Sequence, residues 1–159
     1  MQDSHMRLVR SLPAAACFLA GLTGILVCRH EELVPKVLLP GTMHFSQLPF
    51  ASLIPRVSLV VHHGGTSVLV RSLVAGVPQI ALPFGADRYD TALRLERLGV
   101  CKCIPLPQWS PEYLASCLTD ILNSPSIADS CAKMRLRVDT AADLEQGCST
   151  IEAAANGAA

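Results

Sequence analysis

Short apolar runs recur along the chain at 24–28 (GILVC), 36–40 (KVLLP), 58–61 (SLVV), 79–82 (QIAL) and 100–104 (VCKCI). They are rich in Val, Ile and Leu, they end near Pro, Gly or His, and they hardly alternate with polar residues. An apolar run without a period of two suits a strand covered on both faces, as in a parallel sheet packed between helices. Helix-length stretches fill the gaps, at about 5–21, 66–75, 87–98, 110–123, 126–141 and 143–155. In the third of these, Ala92, Leu95 and Leu98 share a face and Gly99 marks the stop. In the fourth, Ser110 can cap and Pro111 takes the first helical position. This order predicts an α/β fold with a doubly wound parallel sheet, in a single domain over 1–159.

The composition agrees with a buried core. Half the residues are hydrophobic and 16% are charged, which argues against disorder. Net charge is zero and aromatics are few, so no nucleic-acid footprint is visible. The seven cysteines lie mostly inside apolar or helical runs and read as reduced core thiols of a cytoplasmic protein. Cys101 and Cys103 are spaced too closely for a usual metal pair and are read as strand residues. The apolar segment 12–28 is interrupted by Pro13, Gly21 and Gly24. It falls short of the roughly 18 uninterrupted apolar residues of a membrane span, and its Ala14-Ala15-Ala16 patch is misplaced for a secretory cleavage site. It reads as a buried helix followed by a strand.

The run at 58–61 leads into His62-His63-Gly64-Gly65, and a helix-length stretch begins at Thr66. In a doubly wound sheet, ligands bind beyond the carboxyl ends of the strands. The glycines permit a tight turn, the helix that follows presents free N–H groups, and a histidine can donate to a phosphate oxygen. Three readings stand at this point: a phosphate cradle, a metal site, or a plain turn with surface histidines. Metal fits least, because adjacent histidines on extended backbone point opposite ways and no carboxylate or cysteine is near in sequence.

The wider pattern adds to this. Thirteen residues after His63 come Gly76-Val77-Pro78-Gln79, then a short strand, Pro83 and Asp87. Upstream lies LPFASLIPRVSLVVHHGG, downstream ALRLERLGV, and earlier GILVCRHEELVPK. These stretches resemble the C-terminal, nucleotide-sugar-binding domain of GT-B glycosyltransferases of the UDP-glycosyltransferase type, bacterial antibiotic and sterol enzymes in particular. The resemblance spans about 17–125 of this chain. It implies a Rossmann-like domain, the C-terminal half of a GT-B fold. It implies that His63 and the backbone of Gly64 and Gly65, with Thr66 and Ser67, hold the diphosphate of a UDP- or dTDP-sugar. Leu48 and Pro49 would border the nucleobase, and Asp87 with Arg88 the sugar. No metal or other cofactor is implied.

The pattern also departs from the family. Ser67 and Val68 stand where the family usually has Gly-Thr or Asn-Ser, so the second hydroxyl is lost, although Thr66 or Ser67 can cap the helix. Arg88 replaces a glutamine and is read either as an attraction for a diphosphate or acidic sugar, or as solvated surface. Thr91 replaces an asparagine, Gln47 a stacking aromatic, and Arg71 a ribose-binding glutamate of plant members. By the same resemblance, residues 5–21 match the first helix of the domain. The first strand of the sheet, and the acceptor domain with its catalytic base, are therefore expected outside 1–159. His5, His30 and His44 are read as surface residues. The expectation is the donor-binding half of an inverting hexosyltransferase, with a small-molecule acceptor and either a partner chain or self-association. The alternative is a non-catalytic nucleotide-sugar-binding or interaction module. An unrelated dinucleotide binder is disfavoured because no G-x-G-x-x-G turn follows a strand.

Overall fold

The computed structural model describes the backbone of residues 2–157 and the side chains of 11–157, Ala86 and Thr140 excepted. The reading of His5 lies outside the described side chains. Helix α1 (Gln2–Leu19) leads into β1 (Gly24–Val27), β2 (Thr42–Phe45) and the short α2 (Phe50–Leu53). Then come β3 (Val60–His62), α3 (Thr66–Ala75), β4 (Gln79–Ala81), α4 (Ala86–Arg97) and β5 (Cys101–Cys103). Three helices close the chain: α5 (Pro111–Leu122), α6 (Pro125–Arg137) and α7 (Thr140–Ala155).

All strand pairing is parallel. β1 pairs with β2, and β3, β4 and β5 pair in that order. β4 shows why its sequence does not alternate. Ile80 and Leu82 enter a cluster with Leu12 and Ala16 of α1 and Leu114 and Leu118 of α5. Ala81 enters another with Leu69, Ala92, Leu95 and Cys131. Both faces are therefore apolar and buried, as a two-sided parallel strand requires. Trp109 is held under the first cluster by its indole N–H, which donates to the Ile104 carbonyl at 2.8 Å.

Helix ends follow the local chemistry. Ser110 Oγ accepts from the Tyr113 amide at 3.1 Å with Pro111 just inside the helix. Gly99 takes φ +72° after α4, as a left-handed stop needs.

Four expectations change. The run 36–40 is not a strand: Val37 is 81% exposed there and Pro35 and Pro40 bracket it, so the strand forms at Thr42–Phe45 instead. Leu98 is 49% exposed, because it caps α4 after Ala92 and Leu95 have entered the core. The break between the last two helices falls at 138–139, where Asp139 Oδ1 accepts from the amides of Ala141 and Ala142 at 3.1 Å and starts α7 early. His44 is not a surface residue: it is half-buried and its Nε2 lies 2.9 Å from the Cys28 carbonyl. His30 is exposed, beside Glu32 at 3.2 Å.

Five of the seven cysteines are buried, Cys17 is half-buried and Cys148 is exposed. Burial pushes the Cys101 thiol up to about 12, so it stays protonated and apolar in character. No helix among the described residues is long and apolar enough to cross a membrane.

The two sheets do not pair with one another among the described residues. An open cleft of about 780 Å³ lies between them, lined by Gly24–Cys28 on one side and Leu59–His63 on the other. The amides of Gly24 and Cys28 bond toward β2, and that of Val60 bonds toward β4. Alternate amides of a strand point to opposite edges, so those of Ile25, Val27 and Val61 face away from their paired neighbours.

Candidate functional site

β3 ends on His62, and the backbone then turns sharply at Gly64, which takes φ +91°. A Cβ there would stand 2.9 Å from Cβ of Arg88, so only glycine lets the first turn of α4 lie against the loop. Gly65 is less constrained: its φ is −67°, and a Cβ would meet Nε2 of the exposed His63 ring at 3.0 Å. The two glycines thus admit two different neighbours, the Arg88 stem and the His63 ring.

The two histidines face opposite ways. His63 is exposed and lies against Gly65, while His62 is only 8% exposed. The Gly64 N–H donates to Nδ1 of His62 at 2.9 Å. Nδ1 is therefore the bare nitrogen, and in the neutral ring Nε2–H donates to Oε1 of Gln79, also at 2.9 Å. Burial pushes the His62 pKa down to about 4, against the pull of the Gln79 hydrogen bond and with a smaller push from His63. His62 is consequently neutral at physiological pH.

Helix α3 starts at Thr66 with Gly65 as its cap, and no side chain caps it. Thr66 and Ser67 are already helical, so neither fills the capping role that the sequence suggested. The first helical bond runs from the Leu69 amide to the Gly65 carbonyl at 3.2 Å. The amides of Thr66, Ser67 and Val68 precede it and have no acceptor within the helix. Helix α4 likewise starts from a glycine, Gly85 at φ +103°, without a side-chain cap. The contact of Gly64 with Arg88 brings these two N-termini together beyond the carboxyl ends of β3 and β4. Their dipoles add positive potential there, the field that favours an anion.

The structure thus joins His63, Gly64, Gly65, Thr66, Ser67 and Arg88, with the exposed Asp87 in the same first turn of α4. Arg88 is not solvated surface. It is half-buried, and its Nη1 donates to the Phe84 carbonyl at 3.2 Å. Val68 is half-buried and lines the cleft that also reaches His62 and His63. Leu48 and Pro49 lead into α2, which packs on α3. Among the described residues no three of His, Cys, Asp and Glu gather in a metal-binding arrangement.

Sequence reasoning assigned no role to His62, and its bond to Gln79 went unread. The signal was present. Gln79 is a polar residue in an apolar strand read as buried, and such a residue needs a partner. With Val60 opposite Gln79, His62 is two residues further along on the same face.

The comparisons with known proteins follow the same outline. The model of the family "Erythromycin biosynthesis protein CIII-like, C-terminal domain" matches residues 19–146. An O-mycaminosyltylonolide 6-deoxyallosyltransferase of Streptomyces fradiae is 32% identical over 120 residues, 74% of this chain and 28% of that protein. A 3-alpha-mycarosylerythronolide B desosaminyl transferase of Saccharopolyspora erythraea is 32% identical over 88 residues, 55% of this chain and 21% of that protein. The chain therefore spans about a quarter of the length of these relatives. Among solved structures, the glycotransferase of kitacinnamycin superposes with a TM-score of 0.72 at 19% identity, over 80% of this chain and 34% of its own. The glycosyltransferase VinC in complex with DTDP gives 0.68 at 22%, with the same coverage. These likenesses agree with a C-terminal GT-B half in fold, and the family match covers most of the chain. This protein is a member of the erythromycin biosynthesis protein CIII-like C-terminal domain family.

Proposed function

We propose that the chain holds the diphosphate of a nucleoside-diphosphate sugar at the turn 63–68 and serves as the donor half of an inverting glycosyltransferase. The observation that carries this reading is the meeting of the α3 and α4 N-termini through Gly64 and Arg88, with His63 beside them. The amides of Thr66, Ser67 and Val68 and the His63 ring are the donors for phosphate oxygens. The Gly64 N–H is not among them, since it is given to His62. Gly64 contributes the close approach instead. Asp87, an exposed carboxylate, accepts from sugar hydroxyls, and Leu48 and Pro49 border the base. Because VinC is described with DTDP, a dTDP- or UDP-linked hexose is the donor class proposed here.

In this reaction an acceptor hydroxyl loses its proton to a base, attacks the anomeric carbon, and expels the nucleoside diphosphate. Charge builds on the leaving diphosphate, where the helix dipoles and His63 stabilise it. The base and the acceptor site come from polypeptide outside 1–159. The edges of β1 and β3 along the cleft, unpaired among the described residues, offer backbone against which such polypeptide can order. The acceptor is proposed as a small natural product or lipid hydroxyl. Two observations favour a second reading, a nucleotide-sugar-binding module without transfer: Val68 carries no hydroxyl, and the Arg88 guanidinium is tied to Phe84.

Calorimetric titration with UDP and dTDP separates the outcomes, alongside hydrolysis and transfer assays with UDP-glucose and a phenolic acceptor. The proposal expects weak binding of a nucleoside diphosphate and no transfer by the chain alone. Absence of binding to both nucleotides contradicts the donor role, and transfer by 1–159 alone contradicts the external base.

A further inference from the structure

We propose that His62, oriented by Gln79, is the positioning residue of the turn: it takes the Gly64 amide inward and so fixes where His63 and the first amides of α3 stand. The inference rests on the donor reading above and deepens it. Its basis is a chain of three groups, Gln79 Oε1 to His62 Nε2 and His62 Nδ1 to Gly64 N, each link 2.9 Å long. An amide N–H can only donate, so Nδ1 must be an acceptor and Nε2 must carry the hydrogen. Gln79 then has to present its oxygen, which leaves its Nε2 elsewhere in the core.

That nitrogen is the second, independent observation. Gln79 is fully buried, and its Nε2 has no hydrogen-bond partner among the described residues. A buried amide left half-satisfied is a cost to the fold, which an apolar residue at 79 would avoid. That cost is set against the acceptor that Gln79 Oε1 gives the buried His62 Nε2–H, and this bond selects the tautomer of His62. With the other tautomer, Nδ1–H would oppose the Gly64 N–H, and the turn could not close with Gly64 at φ +91° against Arg88.

The chain acts through backbone and touches no ligand itself. His62 lies at the end of β3, so the peptide it holds is the first one beyond the sheet. His63 and Gly64 flank that peptide, and Gly65 with the first amides of α3 follows. Loosening Gly64 displaces the ring and those amides together.

Three variants of residues 1–159 test this. His62→Leu removes both links. His62→Asn restores an acceptor for the amide two residues on, in the manner of an Asx turn. Gln79→Leu removes the tautomer selector. The readouts are the ring-nitrogen NMR signature of His62, hydrogen exchange at the Gly64 amide, the thermal midpoint, and the Kd for dTDP. The expected parent signature is Nε2–H with bare Nδ1 and a protected Gly64 amide. His62→Leu should expose that amide and weaken dTDP about tenfold, with His62→Asn recovering most of the loss. Gln79→Leu leaves the His62 Nε2–H buried without an acceptor, so it should lower the thermal midpoint and also change the His62 ring signature and weaken dTDP. A lowered midpoint with the signature and the Kd unchanged would make Gln79 purely structural and overturn its role as tautomer selector. An Nδ1–H signature in the parent overturns the proposal, as does a Gly64 amide equally protected in His62→Leu. If the parent shows the expected signature yet binds no dTDP, the donor reading fails while the His62 hold on the turn stands.

Discussion

β4 and β1 are both short apolar parallel strands, yet they live in different surroundings. Gln79, Ile80 and Ala81 of β4 are all buried, with helices on both faces and a strand at each edge. β1 has one paired strand, its other edge faces the cleft, and Ile25 is 39% exposed. In β2, Met43 and Phe45 are 46% and 39% exposed. Complete cover forces every polar group in β4 to be matched or explained, and the matching of Gln79 with His62 shapes the turn. Partial cover leaves apolar side chains of β1 and β2 exposed. The closed region is where the candidate anion site forms, and the open region keeps apolar surface exposed.

The largest test of this contrast is a pair of truncations. Ile80→Ala should cost about 2–5 kcal/mol in chemical denaturation, since it leaves a cavity in the closed part. Ile25→Ala should cost less than about 1 kcal/mol. Equal losses would mean that the two regions are covered alike.

A pH series comes next. The folded His62 pKa of about 4 lies below the ordinary 6.5, so between these values the unfolded chain binds more protons than the folded one. Stability should therefore fall as pH drops through this window, by roughly 3 kcal/mol at most. His62→Leu should flatten that part of the profile in urea unfolding curves. An unchanged slope would place the acid sensitivity elsewhere.

Smaller effects concern the ligand. His63→Ala should weaken dTDP by about 1.5–3 kcal/mol, the loss of one charge-assisted hydrogen bond. No change in calorimetry would make His63 a turn residue only. Val68→Thr should strengthen dTDP by about 0.5–1.5 kcal/mol by adding a hydroxyl beside the α3 amides. An unchanged affinity with the fold intact would favour a module that no longer grips phosphate there.

The same contrast explains what the sequence made legible. β4 was readable because burial on both faces leaves a run with no alternation, and the Ser110-Pro111 start of α5 because its cap is purely local. The run at 36–40 misled because its Val-Leu-Leu composition is that of a covered strand, while nothing local reports that Val37 faces solvent. The real strand, Thr42-Met43-His44-Phe45, alternates in cover and looks weaker in sequence. In the candidate site, the glycines announced a turn, but not what each one admits. That Gly64 makes room for Arg88, 24 positions further on, follows from where the first turn of α4 lies against the loop, which no short window of sequence contains.

The central claim is that a nucleoside diphosphate binds at the turn between β3 and α3. Amide chemical-shift mapping during a dTDP titration tests it most directly. The account predicts the largest shifts at His63, Thr66, Ser67 and Val68, smaller ones at Asp87 and Arg88, and little movement at Gly64, whose amide is held by His62. Shifts that spare 63–68, or that centre on another part of the molecule, would contradict it.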